Sequence, residues 1–253
     1  MLSAVGLTAF QLSATAAAIM FASVLRGFTG FGFALAAVPL ASLFMPPSRI
    51  VAAILVMQLG IGLRDCFMEW RQSDRPALAR LTIGALAGMP LGVLALALLS
   101  ASQVRAILGV AVLGAAALTW KPHAARRPPP QALTLATGFT SGVFHGLAAM
   151  AGPPAVAYFL AFQPKVAVMR SSLMVFFPVV SLLSLPMVYA AGLLDTASAT
   201  LGLLGMPIMI GGGWLGTWAF KRYGARSYRP LALAALVVTA AASIIRALVD
   251  LAG

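Results

Sequence analysis

An arginine and three glycines interrupt a long apolar segment near the start of the chain, in the run Arg26-Gly27-Phe28-Thr29-Gly30-Phe31-Gly32-Phe33. Glycine frees the backbone to leave a helix, and non-helical backbone at membrane depth survives only where it is buried in protein or lines a polar cavity. A charged side chain at such a place indicates a functional site. The run therefore predicts a membrane helix that is broken around a site.

The second half of the chain repeats this theme. Its glycines lie in the run Gly138-Phe139-Thr140-Ser141-Gly142-Val143-Phe144-His145-Gly146, which is followed by Gly152-Pro153-Pro154. Interrupted apolar segments in corresponding positions of two halves are typical of a transporter binding site. The pair of runs therefore predicts a transport function, with a chain that turns at the glycines of each run.

The composition predicts an integral membrane protein. The chain of 253 residues is 61% hydrophobic and 9% charged, with a mean hydropathy of +0.99, which leaves too little polar surface to cover a soluble globule. The single cysteine, Cys66, excludes an intramolecular disulfide and a cysteine-based metal cluster. With only two histidines and few acids, we expect no metal site, no cofactor and no catalytic residue.

The hydrophobic pattern predicts ten apolar segments, the shortest of which flank the glycine runs. They lie near residues 5–25, 32–45, 50–63, 77–99, 103–120, 132–144, 148–162, 167–191, 196–219 and 230–251. If 5–45 and 132–162 were single long crossings, the basic loops around Arg71 and Lys221 would face opposite sides, against the positive-inside rule. If each is a hairpin that returns to the side it came from, thirteen of the seventeen Lys and Arg residues gather on the cytoplasmic side. These thirteen are Arg64, Arg71, Arg75, Arg80, Lys121, Arg126, Arg127, Lys165, Arg170, Lys221, Arg222, Arg226 and Arg229.

The hairpin scheme predicts the domain organisation. Each half contains one glycine-broken helical hairpin plus three transmembrane helices, so the halves run in opposite orientation. We therefore predict an all-α polytopic membrane protein built from two inverted repeats, residues 1–120 and 132–253. The basic, proline-rich residues 121–131 are predicted to be an extended cytoplasmic linker, and both termini are predicted to face the periplasm.

Both glycine runs, together with Pro39-Leu40 and Gly152-Pro153-Pro154, resemble the motifs of the sulfite exporter TauE/SafE family, also called the toluene sulfonate uptake permease family. The resemblance covers essentially the whole chain in length, two-half layout and both motifs. It implies an anion permease, not an enzyme. The resemblance implies that the transported substrate is a sulfur-containing anion, an organosulfonate or a carboxylate anion.

The two helix breaks are predicted to face each other and to bind an anion with half-helix N-termini and free backbone N–H groups. Arg26 would add a positive charge whose planar donors match the oxygens of a sulfonate or carboxylate. Hydroxyl groups and the His145 ring would add hydrogen bonds, although His145 is as compatible with a satisfied structural histidine. The predicted substrate-binding residues are Arg26, Gly27, Thr29, Gly30, Gly32, Thr140, Ser141, Gly142, His145 and Gly146.

The remaining charged residues are expected to lie outside the site. All five acids, Asp65, Glu69, Asp74, Asp195 and Asp250, are expected at segment ends or in loops. No buried carboxylate is therefore expected, which argues against tight cation coupling. Arg170, at the start of a segment, is expected to be a positive-inside flank.

The predicted function is export of small sulfur-containing anions, such as sulfite or sulfonates like sulfoacetate, by a multi-pass protein of the bacterial inner membrane. Uptake of organosulfonates or carboxylates is the alternative within transport, and an intramembrane sulfur-relay protein that uses Cys66 is an alternative of another class. The expected partners are a small anion and the lipid bilayer, and a homodimer is left open. Nucleic acid is not expected, because topology accounts for most of the net charge of +12.

Overall fold

Helices make up the fold in a computed structural model that describes residues 8–100, 102–104, 106, 107, 110, 114, 129–163 and 165–223. Eight α-helices lie wholly within these residues: α1 Ala9–Thr29, α2 Phe33–Ala41, α3 Pro47–Glu69, α4 Arg75–Leu98, α5 Gln131–Ala148, α6 Gly152–Phe162, α7 Val166–Ala190 and α8 Thr196–Tyr223. A 3₁₀ turn, Trp70–Gln72, follows α3, and no strand occurs in the described ranges. The predicted all-α class is confirmed.

Four of these helices, α1, α4, α7 and α8, are long and apolar enough to cross a membrane. A fifth candidate is α3 with the turn after it, which forms a pair Pro47–Gly62 and Arg64–Gln72 bent by 46°. The short helices α2 and α6 are apolar but too short to cross alone. The multi-pass membrane assignment is confirmed by these spans.

The chain reverses direction between α1 and α2. Phe44, just beyond α2, stacks edge-on against Phe10 at the start of α1, with ring centroids 6.0 Å apart. The carbonyl oxygen of Phe44 also accepts a hydrogen bond of 3.2 Å from the Gln11 side chain. The first glycine-broken segment is therefore a hairpin, as the charge distribution predicted.

The second hairpin consists of α5 and α6. Near its open end the hydroxyls of Thr134 and Tyr158 lie 3.1 Å apart. The chain was predicted to turn at the glycines Gly138 to Gly146, between the segments 132–144 and 148–162, but it turns a few residues later. The helix continues through those glycines to Ala148, and the break is at Ala149 to Ala151.

The continuous helix across the second glycine run is explained by its packing against α4. Gly84, Gly88 and Gly92 lie against α5 so closely that a Cβ at each would overlap a backbone oxygen, those of Leu135, Phe139 and Val143 respectively. In return, Gly138, Gly142 and Gly146 lie against the α4 backbone. Small residues at every fourth position let two membrane helices approach this closely. The contacts advance together along both chains, so α4 and α5 are parallel.

Similar contacts give the directions of the other long helices. Gly212 of α8 meets Met20 of α1, and Gly216 meets Val24, so α1 and α8 are parallel. α3 is parallel to α8, because Gly202 meets Val56 and Gly60 meets Met206. α3 and α7 are antiparallel, since Gln58 hydrogen-bonds Ser181 whereas Glu69 hydrogen-bonds Ser171. Exchanging α1 with α5, α3 with α7 and α4 with α8 reproduces this pattern of neighbours.

Some predictions fall on residues outside the described ranges. They include the segment 230–251, most of the linker 121–131 and most of the segment 103–120. The cationic residues Arg105, Lys121, Arg126, Arg127, Arg226, Arg229 and Arg246 lie there as well.

Candidate functional site

The two helix breaks line one small internal cavity. Gly32 to Leu35 approach from the first hairpin, and Ala149 to Gly152 from the second. Gln58 and Phe177, halfway along α3 and α7, complete the lining together with Arg26 and Phe31. The cavity has a volume of about 20 Å³, which is room for one water molecule. Residues of both breaks therefore line the same cavity.

Backbone geometry at both breaks directs two helix N-termini toward this cavity. Gly30 and Gly32 have φ of 81° and 93°, in the left-handed region that glycine tolerates, and Ala149 has φ of 54°. Gly32 caps α2 and Gly152 opens α6, and both line the cavity. Helix N-termini carry partial positive charge and unsatisfied N–H groups, which suits an anion.

Arg26 of α1 is buried and forms an ion pair with a carboxylate. Its Nη2 donates to Oδ2 of Asp65 at 2.5 Å, and each residue is 4% exposed. Asp65 lies inside α3, so the expectation that the acids all lie at segment ends or in loops is wrong for this residue. The partner was missed because Asp65 follows Arg64 directly and the two together resemble a polar loop.

A larger cavity of about 570 Å³ lies at the other side of Arg26, between α1, α3, α7 and α8. Its charged lining comprises four cations and two acids, namely Arg26, Arg64, Arg170, Lys221, Asp65 and Glu69. Thr217 and Trp214 of α8 contribute further polar groups. Arg26 therefore borders both cavities.

Arg170 of α7 is a site residue that the sequence analysis assigned to a flank. It is 8% exposed, its Nη2 donates to the carbonyl oxygen of Gly27 at 3.0 Å, and its Nη1 lies 3.5 Å from Oε1 of Glu69. Its guanidinium also lies over the ring of Phe220, 4.9 Å from the centroid. The signal that could have found it is the sequence Arg170-Ser171-Ser172 within an apolar helix.

Arg170 also explains the first glycine of the break. A Cβ at Gly30 would approach Cγ of Arg170 to 2.6 Å, and the residue already has a positive φ. Both space and backbone conformation therefore require glycine there.

Thr29 and Gly27, which were also predicted as site residues, form hydrogen bonds that stabilise the backbone conformation of the break. The Thr29 hydroxyl lies within hydrogen-bond distance of the carbonyl oxygens of Leu25 and Phe31, and it accepts from the Phe31 N–H at 3.2 Å. The Gly27 carbonyl accepts from the Thr217 hydroxyl at 3.3 Å as well as from Arg170. These contacts organise the backbone beside Arg26.

The predicted residues of the second hairpin do not line either cavity. Thr140 is exposed, with its hydroxyl directed at the carbonyls of Ala136 and Thr137. Gly142 and Gly146 pack against α4. His145 and Ser141 are fully buried, and within the described part of the chain the His145 ring nitrogens and the Ser141 hydroxyl have no hydrogen-bond partner. Their role in substrate binding stays a prediction.

Arg26 and His145 occupy equivalent positions. The carbonyl oxygen of Arg26 accepts from the N–H of Gly30 at 2.7 Å, and that of His145 accepts from the N–H of Ala149 at 2.6 Å. Gly30 and Ala149 each end their helix in the left-handed conformation. The corresponding residues of the two hairpins are 119 positions apart in the sequence. The same spacing relates Gln58 to Phe177, which both line the small cavity.

The comparisons with known proteins give a family. A family model described as Sulfite exporter TauE/SafE matches residues 15–243, which is most of the chain. Searches of curated proteins and of solved structures gave no significant match.

Proposed function

Because the chain belongs to the sulfite exporter TauE/SafE family, we propose that it exports small sulfur-containing anions, such as sulfite or sulfonates like sulfoacetate. The family is a transporter family, so the chain is a membrane transporter and not an enzyme. The observation that carries the proposal is the buried guanidinium of Arg26, which borders two cavities and lies beside two helix N-termini.

The charge of the site supports an anionic cargo. Cationic residues outnumber acidic residues in the lining of the larger cavity. A cleft with an excess of positive charge concentrates anions. The planar donors of a guanidinium match two oxygens of a sulfonate or carboxylate at once. The smaller cavity holds about one water molecule, so this conformation is closed to a sulfonate at the breaks.

We propose further that the two halves are inverted repeats that flank a cytoplasmic linker in a bacterial inner membrane. The direction of one pair of counterparts supports this, because α3 runs opposite to α7. A cysteine introduced at Ala124 should then be protected from a membrane-impermeant thiol reagent in intact cells. Labelling from outside would refute this topology.

Membrane voltage favours export over uptake. A monovalent anion that leaves a cell with a negative interior gains about 2.3 kcal/mol per 100 mV, which is about fiftyfold in concentration ratio. The buried carboxylate of Asp65 does not by itself supply a cation site, because it is paired with Arg26. We therefore propose an electrogenic exporter; uptake of organosulfonates or carboxylates is the alternative.

The test is a flux assay in proteoliposomes with sulfite, sulfoacetate, taurine and simple carboxylates. We expect efflux of at least one sulfur-containing anion, and we expect Arg26→Ala to abolish it per amount of folded protein. Arg126→Ala, in the predicted linker, is the matched control and should transport normally. Equal flux in the two variants would refute the role of Arg26, and no flux of any sulfur-containing anion in the unmodified protein would refute the function.

A sulfur-relay function has less support. The Cys66 Sγ lies 3.9 Å from the carbonyl oxygen of Val175, a contact that packs α3 against α7 and does not activate a thiol. Replacement of Cys66 by serine is expected to leave anion flux unchanged. A homodimer stays a prediction, which the mass of the purified protein in detergent would check.

A further inference from the structure

We propose that Asp65 is a gating residue: its carboxylate occupies the place of the transported anion on Arg26 and is displaced by that anion in each transport cycle. The proposal rests on the anion transport proposed above. It adds a role for a residue that the predicted site did not contain.

The position of the ion pair supports a gate. Arg26 lines both the small cavity at the breaks and the larger cavity, whereas Asp65 lines the larger one. An anion that moves between the cavities would therefore come close to Arg26. In the observed conformation it meets a guanidinium whose Nη2 is already bonded to a carboxylate.

Exchange of one anion for another avoids an uncompensated charge. Arg26 and Asp65 are both almost completely buried, and separating a buried ion pair without a replacement is strongly destabilising. A sulfonate or carboxylate substrate presents oxygens that the guanidinium can bind as it binds Asp65. Arg26 then remains neutralised at each stage, first by Asp65 and then by the substrate.

The displaced carboxylate remains close to positive charge. Arg64, Arg170 and Lys221 line the same cavity as Asp65, and Arg64 is its neighbour in sequence. Return of Asp65 to Arg26 would then release the substrate. Asp65 would thus weaken binding and speed release.

The experiment compares Asp65→Asn with Asp74→Asn in proteoliposome flux of sulfoacetate. Both variants remove one carboxylate, but Asp74 caps α4 through the Ala77 N–H and does not line either cavity. For Asp65→Asn we expect KM to fall about tenfold, with a lower kcat, because the competing anion is gone. We expect Asp74→Asn to leave both unchanged. An unchanged or raised KM in Asp65→Asn, or the same shift in Asp74→Asn, would overturn the proposal.

A binding measurement covers the case in which the asparagine variant folds poorly. The substrate should neutralise Arg26 in that variant, so sulfoacetate should raise its melting temperature more than that of the unmodified protein. If Asp65→Asn is not recovered folded alone, purification with sulfoacetate should recover it, and failure to do so would overturn the proposal. Flux of sulfoacetate in the unmodified protein, with no difference between the two variants, would refute the gate and leave the transport function intact.

Discussion

The two hairpins share a backbone plan and differ in the chemistry at one equivalent position. In the first hairpin this position is Arg26, a buried cation paired with Asp65. In the second it is His145, whose ring nitrogens have no hydrogen-bond partner among the described residues. Both hairpins nevertheless end their first helix with a left-handed residue and present the next helix N-terminus to the same cavity.

This difference indicates that the two halves of the protein contribute different chemical groups to the site. Two helix N-termini provide a symmetric, weakly positive frame, and a single guanidinium makes one side of it strongly positive. In the second hairpin, Gly138, Gly142 and Gly146 pack tightly on α4, and only the break from Ala149 to Gly152 lines the cavity. Structural repetition therefore does not require that the chemistry be repeated.

The largest expected difference between the hairpins is in how much the protein is destabilised when Arg26 or His145 is replaced. Arg26→Ala leaves the Asp65 carboxylate buried without its partner, which should lower the free energy of unfolding by about 3–5 kcal/mol. His145→Leu should change it much less, because no partner in the described structure is left unpaired. Unfolding of both variants in detergent is the measurement. Equal losses would mean that the two positions are equivalent in energy as well as in backbone.

A smaller loss is expected at the glycines that pack the second hairpin. A Cβ at Gly142 would overlap the backbone of Ala85, so Gly142→Ala should destabilise the protein by about 1–3 kcal/mol. Gly211→Ala is the control, since a Cβ there meets nothing within 4 Å in the described structure. The melting temperatures of the purified variants would show it, and an unchanged value for Gly142→Ala would contradict the close packing.

The hydrogen bond at the open end of the second hairpin should contribute less. Tyr158→Phe removes the bond to Thr134 and should reduce the free energy of unfolding by about 0.6 kcal/mol, the average for such bonds between membrane helices. Tyr189→Phe changes an exposed hydroxyl and serves as the reference. A loss for Tyr158→Phe above about 1.7 kcal/mol would assign the hydroxyl a larger role than hairpin closure.

The smallest effect is expected in the response of transport to voltage. If only the first hairpin carries the functional charge, His145→Gln should preserve the acceleration of anion efflux by an inside-negative potential. A pH gradient alone should drive little flux in either protein. Efflux driven by a pH gradient at zero potential, and lost in His145→Gln, would make His145 a proton carrier and overturn the electrogenic exporter.

The sequence predicted the parts of the fold that depend on local signals. Glycines beside Arg26 indicated a break, and the distribution of cations required hairpins. The position of the second break could not be predicted, because Ala149 adopts a positive φ without being glycine. The glycines before it, which suggested a break, serve instead to bring α5 close to α4.

The charged partners in the site were missed because they come from distant parts of the chain. Asp65 lies 39 residues beyond Arg26, and Arg170 lies 143 residues beyond Gly27. The positive-inside rule is satisfied by a cation at a helix end whether its side chain is exposed or buried, so it does not identify a buried site residue such as Arg170. Only the packing of α1 against α3, α7 and α8 distinguishes these cases.

The parallel pairing of α1 with α8 has a consequence for synthesis of the protein. Arg26, in the last turn of α1, enters the membrane before its partner has been made, and an unpaired arginine within an apolar segment is unfavourable. Asp65 follows 39 residues later, but Thr217, which bonds to the Gly27 carbonyl, follows 190 residues later. At about 5–20 residues per second, the ribosome needs about 10–40 s to reach that partner. α1 precedes these partners and is therefore among the last helices to find all its neighbours, and an insertase or chaperone that shields α1 would act during that interval.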